Sequence, residues 1–188
     1  MARLGKKPVV IPEKVKLTVD GRTLVASGEK GSLTLNLPGE LSVSSNNREL
    51  VLQSVVSSGR KKTFRRGDQL LGLYRKLILN MLEGVTRGFE KILEIHGVGY
   101  KAELKDNQLF LHLGFTHPVV LEIPTGITVQ IVKDTIIYVR GYDKEKVGSF
   151  SSKIRSVCPP EPYKGTGIRY RGEYVRQKVG KAAAGGTK

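Results

Sequence analysis

The sequence predicts an α+β protein made of two tandem copies of one small domain, each a mostly antiparallel sheet packed by one amphipathic helix, with a basic C-terminal extension. Three observations predict it: an internal repeat at a fixed offset, strand-like runs that give way to a helical period within each copy, and a final stretch rich in Pro, Gly, Tyr and Arg. The expected boundaries are residues 1–82 and 83–158 for the two copies and 159–188 for the extension.

The repeat appears when the chain is slid along itself by 86 residues without a gap. Asp20 then falls on Asp106, Gly28 on Gly114, Leu35 on Leu121, Pro38 on Pro124 and Val43 on Val129. The apolar pattern stays in phase, with Leu24 on Phe110, Leu37 on Ile123, Leu41 on Ile127 and Leu50 on Ile136. A period this long, present twice, indicates duplication of a domain and not a solenoid.

In the first copy, Val15 to Val19 meets Asp20-Gly21 and returns as Thr23 to Ala26, and Asp-Gly between two such runs is a hairpin signal. Leu33 to Leu37 alternates with period two until Pro38-Gly39, and Leu41 to Ser44 and Leu50 to Leu52 continue the strands. From about Arg60 to Leu82 the period changes: Leu70, Tyr74, Leu77, Ile78 and Met81 recur at three and four, a helical stripe with Gly84 as its expected end. The second copy repeats the plan with strands over Tyr100 to Lys105, Gln108 to Leu113, Val119 to Ile123, Ile127 to Ile131 and Ile136 to Arg140. Its helix starts after Asp143, presents Val147, Phe150, Ile154 and Val157, and stops at Pro159-Pro160.

After that stop, three prolines in four residues and the pair Gly165 and Gly167 speak against any regular element. From Glu161 to the C-terminus seven Lys or Arg face two acids, with Tyr163, Tyr170 and Tyr174 spaced among the cations. Cations interleaved with flat rings suit a phosphate-rich partner with exposed base or ribose faces, which points to RNA; a solvated basic tail is the plainer alternative. Ala182 to Lys188 lacks the apolar content to order itself. A second cluster, Arg60-Lys61-Lys62-Thr63-Phe64-Arg65-Arg66, suits phosphate contact or a solvated helix face equally.

Composition supports the same class of partner. Lys and Arg outnumber Asp and Glu by 32 to 17, for a net charge of +15. That balance argues for nucleic acid first and an anionic membrane surface second. No apolar run approaches the roughly 20 residues of a membrane span, and Met1 to Pro8 lacks a signal-peptide core, so a cytoplasmic or organelle-interior location is expected. The one cysteine, Cys158, precludes an intramolecular disulfide and has no catalytic company in the sequence. His96, His112 and His117 lack Cys or acidic neighbours at metal-ligand spacing; His96 and His112 fall in strand patterns. Gly97-Val98-Gly99-Tyr100-Lys101-Ala102 fits the dinucleotide G-x-G-x-x-(G/A) pattern, but a strand, not a helix, is expected after it. No enzyme, cofactor or metal site is expected.

Pro160-Glu161-Pro162-Tyr163-Lys164-Gly165-Thr166-Gly167-Ile168-Arg169-Tyr170 resembles the signature of the bacterial-type sixth protein family of the large ribosomal subunit. Arg3 to Pro8 with Ile11-Pro12, and Gly84 to Lys91 leading to Gly97 to Ala102, agree with it, so the resemblance covers nearly the whole chain. It implies a duplicated α+β fold and a non-catalytic protein seated on large-subunit ribosomal RNA near the sarcin-ricin loop and the stalk base. Neighbouring ribosomal proteins would be its partners, with translational GTPases nearby and no membrane. By the same resemblance Tyr163, Lys164, Arg169 and Tyr170 contact RNA, and Gly165 and Gly167 allow close approach of the backbone. Charge and position add Arg171, Arg176, Lys178 and Lys181. Thr166 departs from the lysine common between the two glycines, which removes one expected phosphate contact. A free-standing RNA or polyanion binding module is the alternative reading.

Overall fold

The structure is a computed structural model that describes residues 7–46, 48–54 and 61–180; at residues 46 and 61–68 it describes the backbone alone. The chain forms two compact units. The first holds residues up to Gly88 with Tyr142–Lys144, and the second Phe89–Gly141 and everything from Glu145 onward.

The first unit contains β1 (Val9–Val10), β2 (Lys16–Asp20), β3 (Thr23–Gly28), β4 (Gly31–Asn36), β5 (Leu41–Asn46), β6 (Glu49–Ser54) and α1 (Lys61–Thr86). Its strands form two antiparallel sheets, ordered β1-β6-β5 and β2-β3-β4. The Asp20-Gly21 signal becomes a two-residue hairpin, with Asp20 opposite Thr23 and Gly21 at φ +56°. Leu24, Leu50, Leu71, Ile78 and Val85 are fully or almost fully buried between these sheets and α1. Each such side chain contributes about 1.5–3 kcal/mol. Gly28 allows the close approach: a Cβ there would lie 2.5 Å from the Val85 carbonyl oxygen, which accepts a hydrogen bond from the Lys30 amide.

The second unit contains β7 (Phe89–His96), β8 (Lys101–Lys105), β9 (Gln108–His112), β10 (Val119–Glu122), β11 (Ile127–Val132), β12 (Ile136–Gly141), α2 (Lys144–Val157, which begins at the boundary between units) and β13 (Gly167–Tyr170). The repeat carries over strand for strand. β11 occupies the positions of β5 shifted by the repeat offset, the β8-β9-β10 sheet matches β2-β3-β4, and β11-β12-β7 matches β5-β6-β1. The core joins Leu93, Leu109, Leu111, Ile137, Ile154 and Ile168, all fully buried.

Three expectations change. Helix α1 runs through Gly84 to Thr86 and ends at Gly88, φ +77°, whose amide donates to the Gly84 carbonyl at 3.0 Å. Its most buried positions, Leu71, Ile78, Met81, Leu82 and Val85, put Leu71 and not Leu70 at the centre of the stripe. The third change concerns the C-terminal stretch, which contains a regular element after all. β13 adds to the free edge of β7, with Gly167 opposite His96, Ile168 opposite Ile95, Arg169 opposite Glu94 and Tyr170 opposite Leu93. The prolines stand before these four residues and none within them, so every ladder amide is present.

Candidate nucleic-acid interface

The prolines and glycines build a closed loop. After α2 the chain turns through Pro159 to Thr166, and the Glu161 amide donates to the Thr166 carbonyl at 3.0 Å. The Thr166 hydroxyl donates to the Glu161 carboxylate at 2.5 Å, so Thr166 ties the loop shut from within. Gly165 takes φ +72° and Gly167 φ +133°; a Cβ at Gly167 would lie 2.7 Å from the Pro159 carbonyl oxygen. Only glycine allows β13 to start this close to the end of α2. The Ile168 amide then donates to the Cys158 carbonyl at 2.8 Å. This bracket displays Tyr163, 60% exposed, and the exposed Lys164.

Along β13 the side chains alternate. Ile168 enters the core and Tyr170, on the same face, packs half-buried against it. The Lys91 ammonium stands 5.6 Å from the centroid of the Tyr170 ring and the Arg155 guanidinium carbon 6.0 Å. Arg169 faces the other way, one guanidinium nitrogen 3.4 Å from His96 Nδ1. Arg171 donates its amide to the Ile92 carbonyl and its Nε to Glu94 at 3.0 Å. Chiefly that hydrogen bond holds the Glu94 carboxyl below its usual range, against the opposing effect of burial.

Glu173 closes the segment. It accepts from Nε and a terminal nitrogen of Arg155 and, through Oε2, from the Tyr170 amide at 3.0 Å, and its own amide returns to the Tyr170 carbonyl. Arg155 first and the Tyr170 amide second push its carboxyl below the ordinary range. Beyond it Tyr174 is 89% exposed, and the Lys178 amide donates to the Pro162 carbonyl at 2.8 Å, tying the outgoing chain back to the loop.

The structure therefore sorts the expected contact residues. Tyr163, Lys164, Arg176 and Lys178 are exposed, and the three cations make no ion pair among the described residues. Gly165 and Gly167 shape the loop, whereas Arg169, Tyr170 and Arg171 hold protein partners. Lys181 lies outside the described residues. So does Arg60 of the second cluster, while Lys61, Lys62, Arg65 and Arg66 are backbone positions in the first two turns of α1, in the other unit. Sequence reasoning passed over Tyr174 as a contact residue and missed the Arg155–Glu173 clamp. Tyr174 carried a signal, its place among the cations; Arg155 carried none, because its partner is 18 residues away.

Among the described residues no three His, Cys, Asp or Glu gather as a metal site, and no helix is long and apolar enough to cross a membrane. The element after Gly99 is strand β8, which removes the helix a dinucleotide fingerprint needs. What remains is a hydrogen-bonded loop that exposes an aromatic ring, Tyr163, beside a cation, Lys164.

The family model described as ribosomal protein L6 matches residues 11–88 and again 96–171. The chain is 47% identical over 188 residues to the large ribosomal subunit protein uL6 of Trichormus variabilis, covering all of both chains. It is 45% identical to that of Moorella thermoacetica, again over the full length of both. It is also 45% identical to the large ribosomal subunit protein uL6c of Guillardia theta, covering 97% of this chain and 98% of that one.

Proposed function

From a chain that belongs to the ribosomal protein L6 family, and so is a structural constituent of the large ribosomal subunit and not an enzyme, we propose that the loop after α2 is its main contact with large-subunit RNA. Its place of work is a ribosome, in the cytoplasm or in an organelle. The observation that carries the reading is the bracketed loop, which holds Tyr163 and Lys164 outward while the Lys178 amide fastens the Arg176 segment beside it.

The roles divide by what each side chain already touches. Lys164, Arg176 and Lys178, with Lys181 beyond them, meet phosphates, which fix the protein's position. Tyr163, aided by Tyr174, stacks on a base or ribose. Gly165 and Gly167 let the loop form. Arg169 reaches RNA with the guanidinium nitrogens that His96 leaves free, and Arg171 with those that Glu94 leaves free. Tyr170 supports the platform from behind. The site on the RNA is the region of the sarcin-ricin loop and stalk base, where the protein steadies the docking surface for translational GTPases and aids subunit assembly. Lys61, Lys62, Arg65 and Arg66, with Arg60, supply a weaker second phosphate contact.

The test is affinity for in vitro transcribed large-subunit RNA across a salt series. Contact with about six phosphates predicts a loss of about a thousandfold between roughly 50 and 200 mM salt. Lys164→Ala with Arg176→Ala is expected to weaken binding and make the log–log salt slope shallower by about two, with the unfolding temperature unchanged. A flat salt profile sinks the phosphate reading. For the location, a radical-generating probe on Lys164→Cys, in a Cys158→Ser background, should cleave the RNA around the sarcin-ricin loop and stalk base; cleavage confined to other regions overturns that placement.

A further inference from the structure

The turn between β7 and β8 and the connection between β9 and β10 form one surface at the end of the second unit where β13 begins. Gly167 of β13 pairs with His96, the residue before Gly97. The Tyr100 ring lies against both glycine backbones that border it: a Cβ at Gly97 would stand 2.4 Å from the ring and one at Gly114 3.2 Å. With Gly97 at φ +156°, Gly99 at +76° and Gly114 at +75°, three left-handed positions hold the two turns on one half-buried tyrosine.

This built arrangement presents apolar side chains outward. Val98 at the apex is fully exposed at 103%, and Phe115 in the facing connection is 53% exposed. Neither residues 97–101 nor residues 113–118 contain an acid. Among the described residues the Val98 and Gly99 amides donate to no protein group, so two N–H donors stand beside the apolar pair. Water satisfies such amides in the free protein, and a phosphate or ribose oxygen can replace it. An exposed phenyl ring offers a stacking face that needs no charge.

We propose that Val98 and Phe115 form a second, uncharged contact with large-subunit RNA, packing on the ribose or base face of nucleotides next to those held by the Tyr163–Lys164 loop. The occupant is RNA because the Gly167–His96 pairing sets these turns at the end of the sheet where that loop joins β13, the two turns contain no acid, and free amides stand beside their apolar groups. The inference rests on the proposed RNA contact, and its signature differs from that of the cationic loop: it adds affinity without adding to the salt slope.

The full-length chain carrying Val98→Ser with Phe115→Ser is to be titrated against in vitro transcribed large-subunit RNA, beside Lys164→Ala with Arg176→Ala. The serine pair is expected to lose about tenfold in affinity with an unchanged salt slope and unfolding temperature. Wild-type affinity in the serine pair, with weakened binding in the alanine pair, overturns this inference and leaves the proposed function standing; wild-type affinity in both overturns both. A photo-crosslinking p-benzoylphenylalanine at position 98, in subunits assembled with the full chain, covers the case in which the serine pair fails to fold. An RNA adduct supports the contact, and a protein adduct or none overturns it.

Discussion

Two tyrosines seven residues apart do different work, and burial decides which. Tyr170 lies against the core between Lys91 and Arg155, so truncating it removes packing: Tyr170→Ala is expected to cost about 2–3 kcal/mol in chemical unfolding, less than a fully buried aromatic. Tyr163 touches solvent, so Tyr163→Ala should leave the unfolding curve in place and lower RNA affinity by about fivefold to a hundredfold. If Tyr170→Ala were as stable as the parent and only its affinity fell, the supporting role assigned to that ring would be wrong. Glu173 adds a pH dependence with a fixed sign. Its carboxyl is held below the ordinary range when folded, mainly by Arg155, so its stabilisation is complete above the unfolded value and fades as pH falls through the lower folded value. Glu173→Gln should therefore be less stable than the parent at neutral pH and should lose less stability on acidification. Thermal unfolding from neutral to acidic pH checks this, and parallel curves for the two proteins would show that Glu173 contributes nothing by charge.

At the scale of elements, the connection from α2 to β13 depends on two glycines for different reasons. Gly165 has left-handed φ with open space around its absent Cβ, so Gly165→Ala meets only the conformational cost, about 1–2 kcal/mol. Gly167 combines φ +133° with a carbonyl oxygen 2.7 Å from the Cβ position, so Gly167→Ala should cost distinctly more and loosen β13 from β7. Hydrogen exchange at the Arg171 amide, which donates to the Ile92 carbonyl of β7, gives the readout; equal protection in both variants would mean that the close approach is unimportant. The same connection marks the limit of what the residues reveal unaided. The hairpin at Asp20-Gly21, the alternation in β4 and the stripe of α2 are local patterns, and they were legible. Composition and the family signature singled out Tyr163 and Lys164 as candidate contacts, and the structure exposes both. β13 was not, because its four residues follow prolines that dominate the local signal and it exists only by pairing with β7, more than 70 residues earlier. For the same reason Arg171 and Tyr170 read as free contacts: their partners Glu94 and Lys91 are distant in sequence.

Over the whole molecule, the duplication supplies the same two-sheet plan twice, and the copies differ at one edge. In the first unit β1 is the last strand of its sheet among the described residues; in the second the equivalent edge, β7, carries β13. The longer α1, 26 residues against 14 in α2, takes up chain that the second copy spends on the Pro159–Pro160 stop and the return to the sheet. The C-terminal stretch is thus half fold and half surface, and truncation can separate the halves. Ending the chain after Val157 removes β13 and the fully buried Ile168, whose burial alone contributes about 1.5–3 kcal/mol, and bares the β7 edge to other chains. That truncation should lower the unfolding temperature, aggregate on warming and lose RNA binding. Ending after Glu173 keeps β13, the Arg155–Glu173 clamp and the Tyr163–Lys164 loop, and removes Tyr174, Arg176, Lys178 and Lys181. It should unfold close to the parent temperature yet bind RNA more weakly, with a salt slope shallower by about three. Paired unfolding and salt-titration measurements on both truncations decide the point: if the longer one unfolds as early as the shorter, the residues after Glu173 are as much part of the fold as β13, and the Lys178–Pro162 tie carries more stability than surface attachment.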